Sequence, residues 1–394
     1  MTNVEPKISQ SSVSQSDLTV RIVGLEDLDE EIIESWKRLD LRALEPNAFL
    51  TPAFVIPAMR YLCGDRKPVV LLVERGAHIR PQLVGLGVFE LPKRTTMLPF
   101  KHWVAYSSPH TFLSGLLIDM ECPRPVIARM LEFLTTPEHQ AYGVEFRRRS
   151  ADTPQSRLLD AIASEYSLKW VGQEYARATI RIPESTTTPI RWPKSLRENR
   201  NKLKRLGNTE YTLRRFGPAH ETSTATFLAL EHMGWKAELD CSLASSGANH
   251  DFFMNMVAGF AGDNRLLYSE LTLNGEIIAS TCNLISGRVC FGFKLGWNQH
   301  FARCSPGMLQ HLELLENIGR QFDDLDYFDS CTSANSPVER VWPDRRQIKS
   351  GVFTYAGLSS IAAVSMQRIR QWRTKTGAVA AFSGEEEQRS RRRS

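Results

Sequence analysis

Apolar positions in the second half of the chain first follow a strand pattern and then a helix pattern. Residues 277–285 and 289–295 are apolar runs around a Gly-containing turn, which predicts a β-hairpin. Ser305-Pro306-Gly307 then opens an apolar stripe of helical period, as expected for a helix start. A helix that begins after a strand offers free amide groups and a positive dipole end, so an anion site is permitted here. Gly292 and Gly296 in the second run predict a bulge or a close backbone approach.

The same reasoning divides the whole chain into helices and strands. In the first half it predicts strands at 18–23, 69–74, 83–91, 144–146 and 175–182, helices at 26–44, 123–134 and 155–166, a turn and helix within 47–62, and an irregular stretch at 101–118. In the second half it predicts strands at 209–216, 265–273, 277–285, 289–295, 325–329 and 352–356, and helices at 195–206, 219–233, 249–260, from 305 onward and at 366–375. The halves repeat a similar order, which indicates a duplicated α+β unit.

Composition at the ends and in the middle predicts the domain boundaries. Residues 1–17 read as a disordered leader and residues 376–394 as a disordered charged tail. Residues 184–193 are rich in Thr and Pro, which is typical of a linker. We therefore expect an N-terminal lobe over 18–183 and a C-terminal lobe over 194–375.

Overall composition narrows the class of protein. The chain has 394 residues, is 42% hydrophobic and carries a formal net charge of +5, which is too small by itself to imply nucleic-acid binding. It contains no apolar run long enough for a membrane span and no secretory signal. The seven cysteines are scattered without a CxxC pair, so we expect free thiols, a cytoplasmic location and no metal site. The absence of GxGxxG, Walker A, HExxH and GxSxG motifs counts against several common enzyme classes.

A basic stretch follows the predicted linker. Nine Lys or Arg residues and only two acids lie between Arg191 and Arg215. On a helix, Arg197, Arg200 and Lys204 share one face, which could meet the phosphates of a cofactor, a tRNA or an acidic lipid. A solvated helix face would have the same composition, and both interpretations stay open.

Two further clusters could carry chemistry. Glu231 ends a predicted helix beside a histidine and could act as a general base, although a surface carboxylate near a core tryptophan, Trp235, would look the same. Asp329 and Cys331 follow a short apolar strand, at a sheet end where active sites often lie. Cys331 has no assignable base, so an inert buried thiol is the simpler interpretation.

Residues 192–358 resemble the FemAB-like branch of the GNAT acyltransferase superfamily, close to CelD-like and BioF2-like acetyltransferase domains. The order and spacing of five segments carry this resemblance: 195–206, Leu230-Glu231 with Gly234-Trp235-Lys236, 274–279, Ser305-Pro306-Gly307 and 342–346. The first half, 18–182, is similar to the weaker N-terminal lobe. The resemblance implies an α+β fold of tandem GNAT-like lobes, each a twisted mixed sheet flanked by helices.

The resemblance also implies an acyl-CoA site and roles for particular residues. Backbone amides of Phe291, Gly292 and Phe293 would contact the pantetheine arm and polarise the acyl carbonyl. Ser305, Gly307 and Met308, with Arg303 nearby, would hold the pyrophosphate. Glu231 is the first candidate base and Asp329 the second, while Trp235 and Lys236 would contact the acceptor. Pro306 departs from the R/Q-x-x-G-x-G/A motif of common acetyltransferases, which leaves the donor open.

Three functions remain as alternatives. The first is N-acyl transfer, with acetyl as the expected group, from acyl-CoA to a small amine, sugar or lipid-linked acceptor in polysaccharide or cell-envelope biosynthesis. The second is a FemX-type transferase that uses aminoacyl-tRNA. The third is a non-catalytic binding or scaffold protein. None requires a metal, and the oligomeric state stays open.

Overall fold

One continuous mixed β-sheet runs through the protein. The computed structural model describes residues 14–76, 81–182, 192–233, 238–240 and 242–370. Its strands are β1 Leu18–Val23, β2 Pro68–Arg75, β3 Gln82–Lys93, β4 His102–Ala105, β5 Leu117–Ile118, β6 Gly143–Ser150, β7 Leu168–Arg181, β8 Thr209–Phe216, β9 Leu266–Leu273, β10 Glu276–Ser286, β11 Val289–Trp297, β12 Tyr327–Asp329 and β13 Asp344–Tyr355.

Helices cover both faces of this sheet. They are α1 Glu30–Leu41, α2 Pro52–Tyr61, α3 Pro123–Leu134, α4 Pro154–Glu165, α5 Lys194–Leu206, α6 Glu221–Glu231, α7 Gly247–Gly262 and α8 Pro306–Gln321, followed by a helix over residues 358–370. Four of them, α2, α3, α4 and α8, begin with proline, whose fixed φ suits the first helical position and whose missing N–H is not needed there. Asp29 caps α1 by accepting the Ile32 N–H at 2.8 Å.

The sequence patterns located most elements, and the differences have identifiable causes. The stretch 101–118, predicted to be irregular, contains the short strands β4 and β5. The strands predicted at 175–182 and 352–356 extend back to Leu168 and Asp344, because β7 and β13 pair with each other along their whole length. The added parts of both strands contain many polar and charged residues. The alternation of apolar and polar positions that predicts a strand is therefore weak there. The last residues of the predicted leader, Gln15–Asp17, form a short 3-10 turn.

The last strand of each half, β7 or β13, pairs with a strand of the other half. The strand order is β1-β2-β3-β4-β6-β13-β7-β12-β11-β10-β9-β8, with β5 beside β3. β7 precedes the predicted linker but pairs with β12, whereas β13 lies near the end of the chain but pairs with β6. In each half one parallel pair, β4 with β6 or β11 with β12, stands next to the exchanged strand. This arrangement confirms an α+β fold of two GNAT-like lobes joined through one sheet.

The largest hydrophobic core belongs to both halves. It joins Trp36 of α1, Phe54 of α2 and Leu86 of β3 with Phe252 of α7 and Phe293 of β11. The indole N–H of Trp36 donates to the Leu50 carbonyl at 2.8 Å, so this buried polar atom is satisfied. A shared core of this kind fixes first-half side chains next to second-half strands.

Within the described part of the chain, no helix has the length and apolar character required to cross a bilayer. The predicted linker, apart from residues 192 and 193, and the predicted charged tail lie outside the described residues. The proposed domain boundaries therefore stay predictions.

Candidate functional site

The parallel strands β11 and β12 separate shortly after they begin to pair. Their register ends at Phe291 opposite Asp329. Beyond that point the Ser330 amide donates to the Ala178 carbonyl of β7 at 3.2 Å, so the chain after β12 stays with β7. β11 meanwhile stays paired with β10 as far as Trp297. The sheet therefore opens a gap between these neighbouring strands.

A β-bulge lies where the gap opens. Cys282 of β10 pairs with Lys294 and Asn283 pairs with Gly292, so Phe293 is the extra residue in β11. A bulge interrupts the alternation of side chains and leaves backbone groups unpaired with the neighbouring strand. The bulge expected from the glycines of this strand is present, and it lies next to the residues where the gap opens.

The gap continues into a cavity of about 460 Å³. This volume lies in the range of small-molecule sites. Its walls come from β11, from α8 and from the segment after β12; wall residues include Gly292, Lys294, Gly307, His311, Phe328 and Cys331. Burial lowers the pKa of His311 to about 4, so its imidazole is neutral near pH 7. A mostly apolar cavity with a neutral histidine suits an uncharged ligand arm.

The N-terminus of α8 lies at one end of this cavity. Ser305 adopts a left-handed conformation with φ 53° before the helix starts at Pro306. The Ser305 hydroxyl accepts a hydrogen bond from the Asn199 side chain at 3.1 Å, which ties α5 to this turn. Ser305, Gly307 and Met308 all line the cavity. A Cβ at Gly307 would come within 2.9 Å of Cδ2 of Leu295, so a larger residue here would have to displace the Leu295 side chain.

Basic side chains lie beside the same entrance. α5 lies against the 3-10 turn Gln299–Cys304, whose Arg303 is exposed and does not line the cavity. Arg200 of α5 stacks over Trp192 and forms an ion pair with Glu313 of α8 at 3.3 Å. Arg197, Lys202, Lys204 and Arg205 remain exposed on α5. The predicted basic helix is therefore held beside the entrance to the cavity.

Glu231 lies on the opposite side of β11 from α8. A Cβ at Gly296 would come within 2.5 Å of the Glu231 nitrogen, so this glycine permits the last turn of α6 to contact β11 directly. The buried Glu231 carboxylate accepts the Leu243 N–H at 2.8 Å, and its Oε1 lies 3.4 Å from Nζ of Lys294. Lys294 also lines the cavity. A carboxylate and an ammonium group thus meet at the strand that opens the gap.

His110 reaches this side of β11 from the first half of the chain. Its ring stacks on Phe252, with centroids 5.4 Å apart, and its Nε2 hydrogen-bonds Oδ1 of Asn249 at 3.0 Å. Burial, followed by the nearby Lys294 ammonium, lowers the pKa of His110 to about 4. Neither His110 nor Lys294 was among the predicted site residues. Lys294 could have been identified as a candidate site residue, because it is a lysine inside an apolar strand. No local sequence feature indicated a role for His110.

Asp329 is enclosed by arginines. Its Oδ2 lies 2.5 Å from Nη2 of Arg177 and 2.8 Å from Nη1 of Arg346, and its Oδ1 accepts the Cys331 N–H at 2.9 Å. Burial alone would raise the pKa of the Asp329 carboxyl, but the two arginines outweigh it and hold the pKa below the usual value. Burial and the Asp329 charge raise the pKa of the Cys331 thiol well above its usual value. Asp329 does not line the cavity.

Most of the predicted donor-site residues come together. Gly292, Phe293, Ser305, Gly307 and Met308 line one cavity. Phe291 does not line it, because its ring packs against Phe49 in the core. The acceptor residues predicted from the resemblance, Trp235 and Lys236, lie outside the described residues. Within the described chain, no group of His, Cys, Asp and Glu side chains is arranged to hold a metal ion.

Comparison with known proteins agrees with this geometry. Residues 193–336 match the family model described as an acetyltransferase (GNAT) domain. No curated protein sequence matches the chain significantly.

Two solved structures share the fold over both halves. The C-terminal domain of a proposed lysylphosphatidylglycerol synthetase from Agrobacterium fabrum is similar over 85% of this chain and 94% of its own, with 11% identity and a TM-score of 0.52. A crystal structure of FemX is similar over 82% of this chain and 95% of its own, with 10% identity and a TM-score of 0.52. At such identities these likenesses concern the fold alone, and they agree with the GNAT-like fold that the sequence led us to expect.

Proposed function

We propose that the GNAT-type acetyltransferase domain formed by residues 193–336 transfers an acyl group, with acetyl the first to test, from acyl-CoA to an amine. The observation that carries this proposal is the gap between β11 and β12, which combines a bulge at Phe293 with the N-terminus of α8 at its entrance. Such a gap offers backbone amides to a linear amide-containing arm and a dipole end to its phosphates.

In this proposal the donor lies along the cavity. The uncharged pantetheine arm would occupy the apolar space beside Gly292 and His311, and the pyrophosphate would lie at the start of α8. Pro306 supplies no N–H there, and the Met308 amide already donates to the Ser305 carbonyl at 3.0 Å. The Gly307 amide and the Arg303 guanidinium are therefore the main anion-binding groups that we propose.

The chemistry would be direct transfer in a ternary complex. The lone pair of a neutral amine attacks the thioester carbonyl carbon, and the oxyanion is stabilised by β11 amides at the bulge and by the Lys294 cation. Collapse of this intermediate breaks the carbon–sulfur bond and expels the CoA thiolate. Glu231 takes the amine proton and then gives it to the CoA thiolate, which leaves as the CoA thiol. Asp329 would position the Cys331 loop through its arginines, a role distinct from that of a base.

The acceptor would approach from the α6 side of β11. Glu231, Lys294 and His110 meet there, opposite α8. The candidate acceptors are a small amine, an amino sugar or a lipid-linked amine of polysaccharide or envelope biosynthesis. A structurally similar domain is named for lysylphosphatidylglycerol synthesis, which supports including lipid-linked acceptors. A cytoplasmic site for this reaction stays a prediction.

Calorimetric titration with acetyl-CoA tests the donor. We expect the wild type to bind, and Gly307→Val to lose at least tenfold in affinity because the new side chain would meet Leu295 and Trp297 at the entrance. Gly262→Ala in α7 is the matched control, since a Cβ there meets nothing within 4 Å. A wild-type protein that binds neither acetyl-CoA nor free CoA would refute the acyl-CoA proposal.

A second candidate function is transfer from aminoacyl-tRNA. The exposed cations of α5 beside the cavity entrance favour it, since such a face could contact a tRNA backbone. Binding of bulk tRNA, with an affinity that falls steeply with salt and with Arg197→Ser/Lys202→Ser, would support it. Binding of neither donor would favour a non-catalytic binding or scaffold protein.

A further inference from the structure

The last described helix presents apolar side chains to solvent. Leu358 is 82% exposed and Ile361 is 62% exposed, and Val364 follows at the same three-residue spacing. Residues three apart lie on neighbouring positions of one helix side. The other side of this helix is anchored, because Ala363 packs with Leu98 and Val352. The apolar side is therefore held outward by packing of the inner side.

Cations are concentrated in two chain segments beside this apolar side. The segments 91–101 and 356–370 contain five Lys or Arg residues and no Asp or Glu. Lys93 forms an ion pair with Glu90, and Arg370 contacts Sδ of Met97. Arg94, Lys101, Arg368 and Arg370 are all exposed. The two segments are neighbours, since Phe100 packs against the cluster that contains Ala363.

A basin of about 640 Å³ adjoins the helix. Arg94, Lys101, Phe100, Tyr142 and Tyr355 line it. Tyr355 is the last residue of β13, and the Ser359 hydroxyl at the start of the helix donates to its carbonyl at 2.7 Å. The basin thus combines two cations with aromatic rings, and it lies near the start of the helix that carries the exposed apolar side.

We propose that the helix over 358–370 and this basin form a docking surface for a membrane that contains anionic phospholipid. Leu358, Ile361 and Val364 enter the boundary between head groups and acyl chains, and the basin receives a phosphate group through Arg94 and Lys101. The exposed arginines of the helix lie over the head-group layer, where long cationic side chains are favourable.

Charge decides between a bilayer and a second copy of the chain. A symmetric dimer through this surface would bring each patch against its own copy, so that Arg94, Lys101 and Arg368 of one copy faced the same cations of the other. An anionic bilayer supplies the missing charge and also covers the apolar side chains. The basin of this surface shares no lining residue with the donor cavity.

Vesicle sedimentation of the full chain tests this inference. We expect the wild type to sediment with vesicles that contain phosphatidylglycerol and to stay in solution with pure phosphatidylcholine. Leu358→Ser/Ile361→Ser should weaken partitioning at least tenfold, and Lys101→Ser/Arg368→Ser should weaken it about fivefold for each lost cation. High salt should weaken the part of vesicle binding that depends on charge.

Two control variants remove residues of the same types elsewhere on the surface, to test whether the location of the substituted residues matters. Leu41→Ser removes another exposed leucine, which is 72% exposed, and Arg38→Ser/Arg124→Ser removes the same charge from other helices. Both should partition like the wild type, and circular dichroism checks that every variant is folded. Equal losses in the control and patch variants, binding without preference for phosphatidylglycerol, or no binding would overturn the proposal. So would a wild-type dimer that Leu358→Ser/Ile361→Ser converts to monomer in light scattering.

Discussion

Gly296→Ala is the sharpest test of how β11 and α6 meet. A Cβ at this position would lie 2.5 Å from the Glu231 nitrogen and 2.8 Å from the Leu230 carbonyl carbon. These are backbone atoms of a packed helix, so no side-chain rotation can relieve the contact. Ordinary contact begins at 3.4 Å. The end of α6 or the strand must therefore shift by roughly 1 Å, the strain that an overpacked core resists.

The expected cost is about 1–3 kcal/mol of unfolding free energy. Thermal and urea denaturation should show it as a transition several degrees lower and an earlier urea midpoint. The same shift moves Glu231 relative to Lys294. If Glu231 is the base, a displacement of about 1 Å should lower the acyl-transfer rate by roughly 10²-fold while acetyl-CoA still binds.

Alanine substitutions at two other glycines provide comparisons for Gly296→Ala. A Cβ at Gly217 meets nothing within 4 Å, so Gly217→Ala should stay within about 0.5 kcal/mol of the wild type. A Cβ at Gly292 would come within 3.2 Å of the Ser330 carbonyl oxygen, so Gly292→Ala should have an intermediate effect. If Gly296→Ala proved as stable as Gly217→Ala, the close contact between α6 and β11 would be refuted.

Three further predictions concern buried charge. Asp329→Asn leaves two arginines without a carboxylate and should cost about 3–5 kcal/mol in chemical denaturation; a loss below about 1 kcal/mol would contradict the buried network. Burial opposes ionisation of Glu145, but His102 and Arg147 outweigh it and lower its pKa to about 2. Its contribution, roughly 3 kcal/mol, is therefore present above the unfolded pKa of about 4.3 and lost as pH falls toward 2. Glu145→Gln should be less stable at pH 7 and match the wild type near pH 2; a constant difference would rule this out. Glu231→Gln should lower CoA release with an amine acceptor about 10²-fold at unchanged acetyl-CoA affinity, and an unchanged rate would exclude it as the base.

Local patterns located the start of α8, which forms one wall of the cavity, because proline at the first helical position and an apolar stripe are short-range signals. The glycines of β11 indicated its bulge for the same reason. The assignment of Ser305, Gly307 and Met308 to a pyrophosphate came from the family resemblance and stays a prediction. Lys294 and His110 were missed, since their roles depend on Glu231 and Asn249, which are distant in the sequence.

The sequence by itself determined the kinds of elements, their order and the repeated α+β character of the two halves. These depend on periodicity, turn residues and helix starts, all of which act within a few residues. Only the tertiary structure decided that β7 and β13 exchange partners. Both strands mix polar and apolar residues, so their sequences do not indicate which strand each one pairs with. It also decided that Asp329 lies between two arginines and that His110 joins the second-half site. Such contacts come from long-range pairing and a shared core, whose geometry no local pattern specifies.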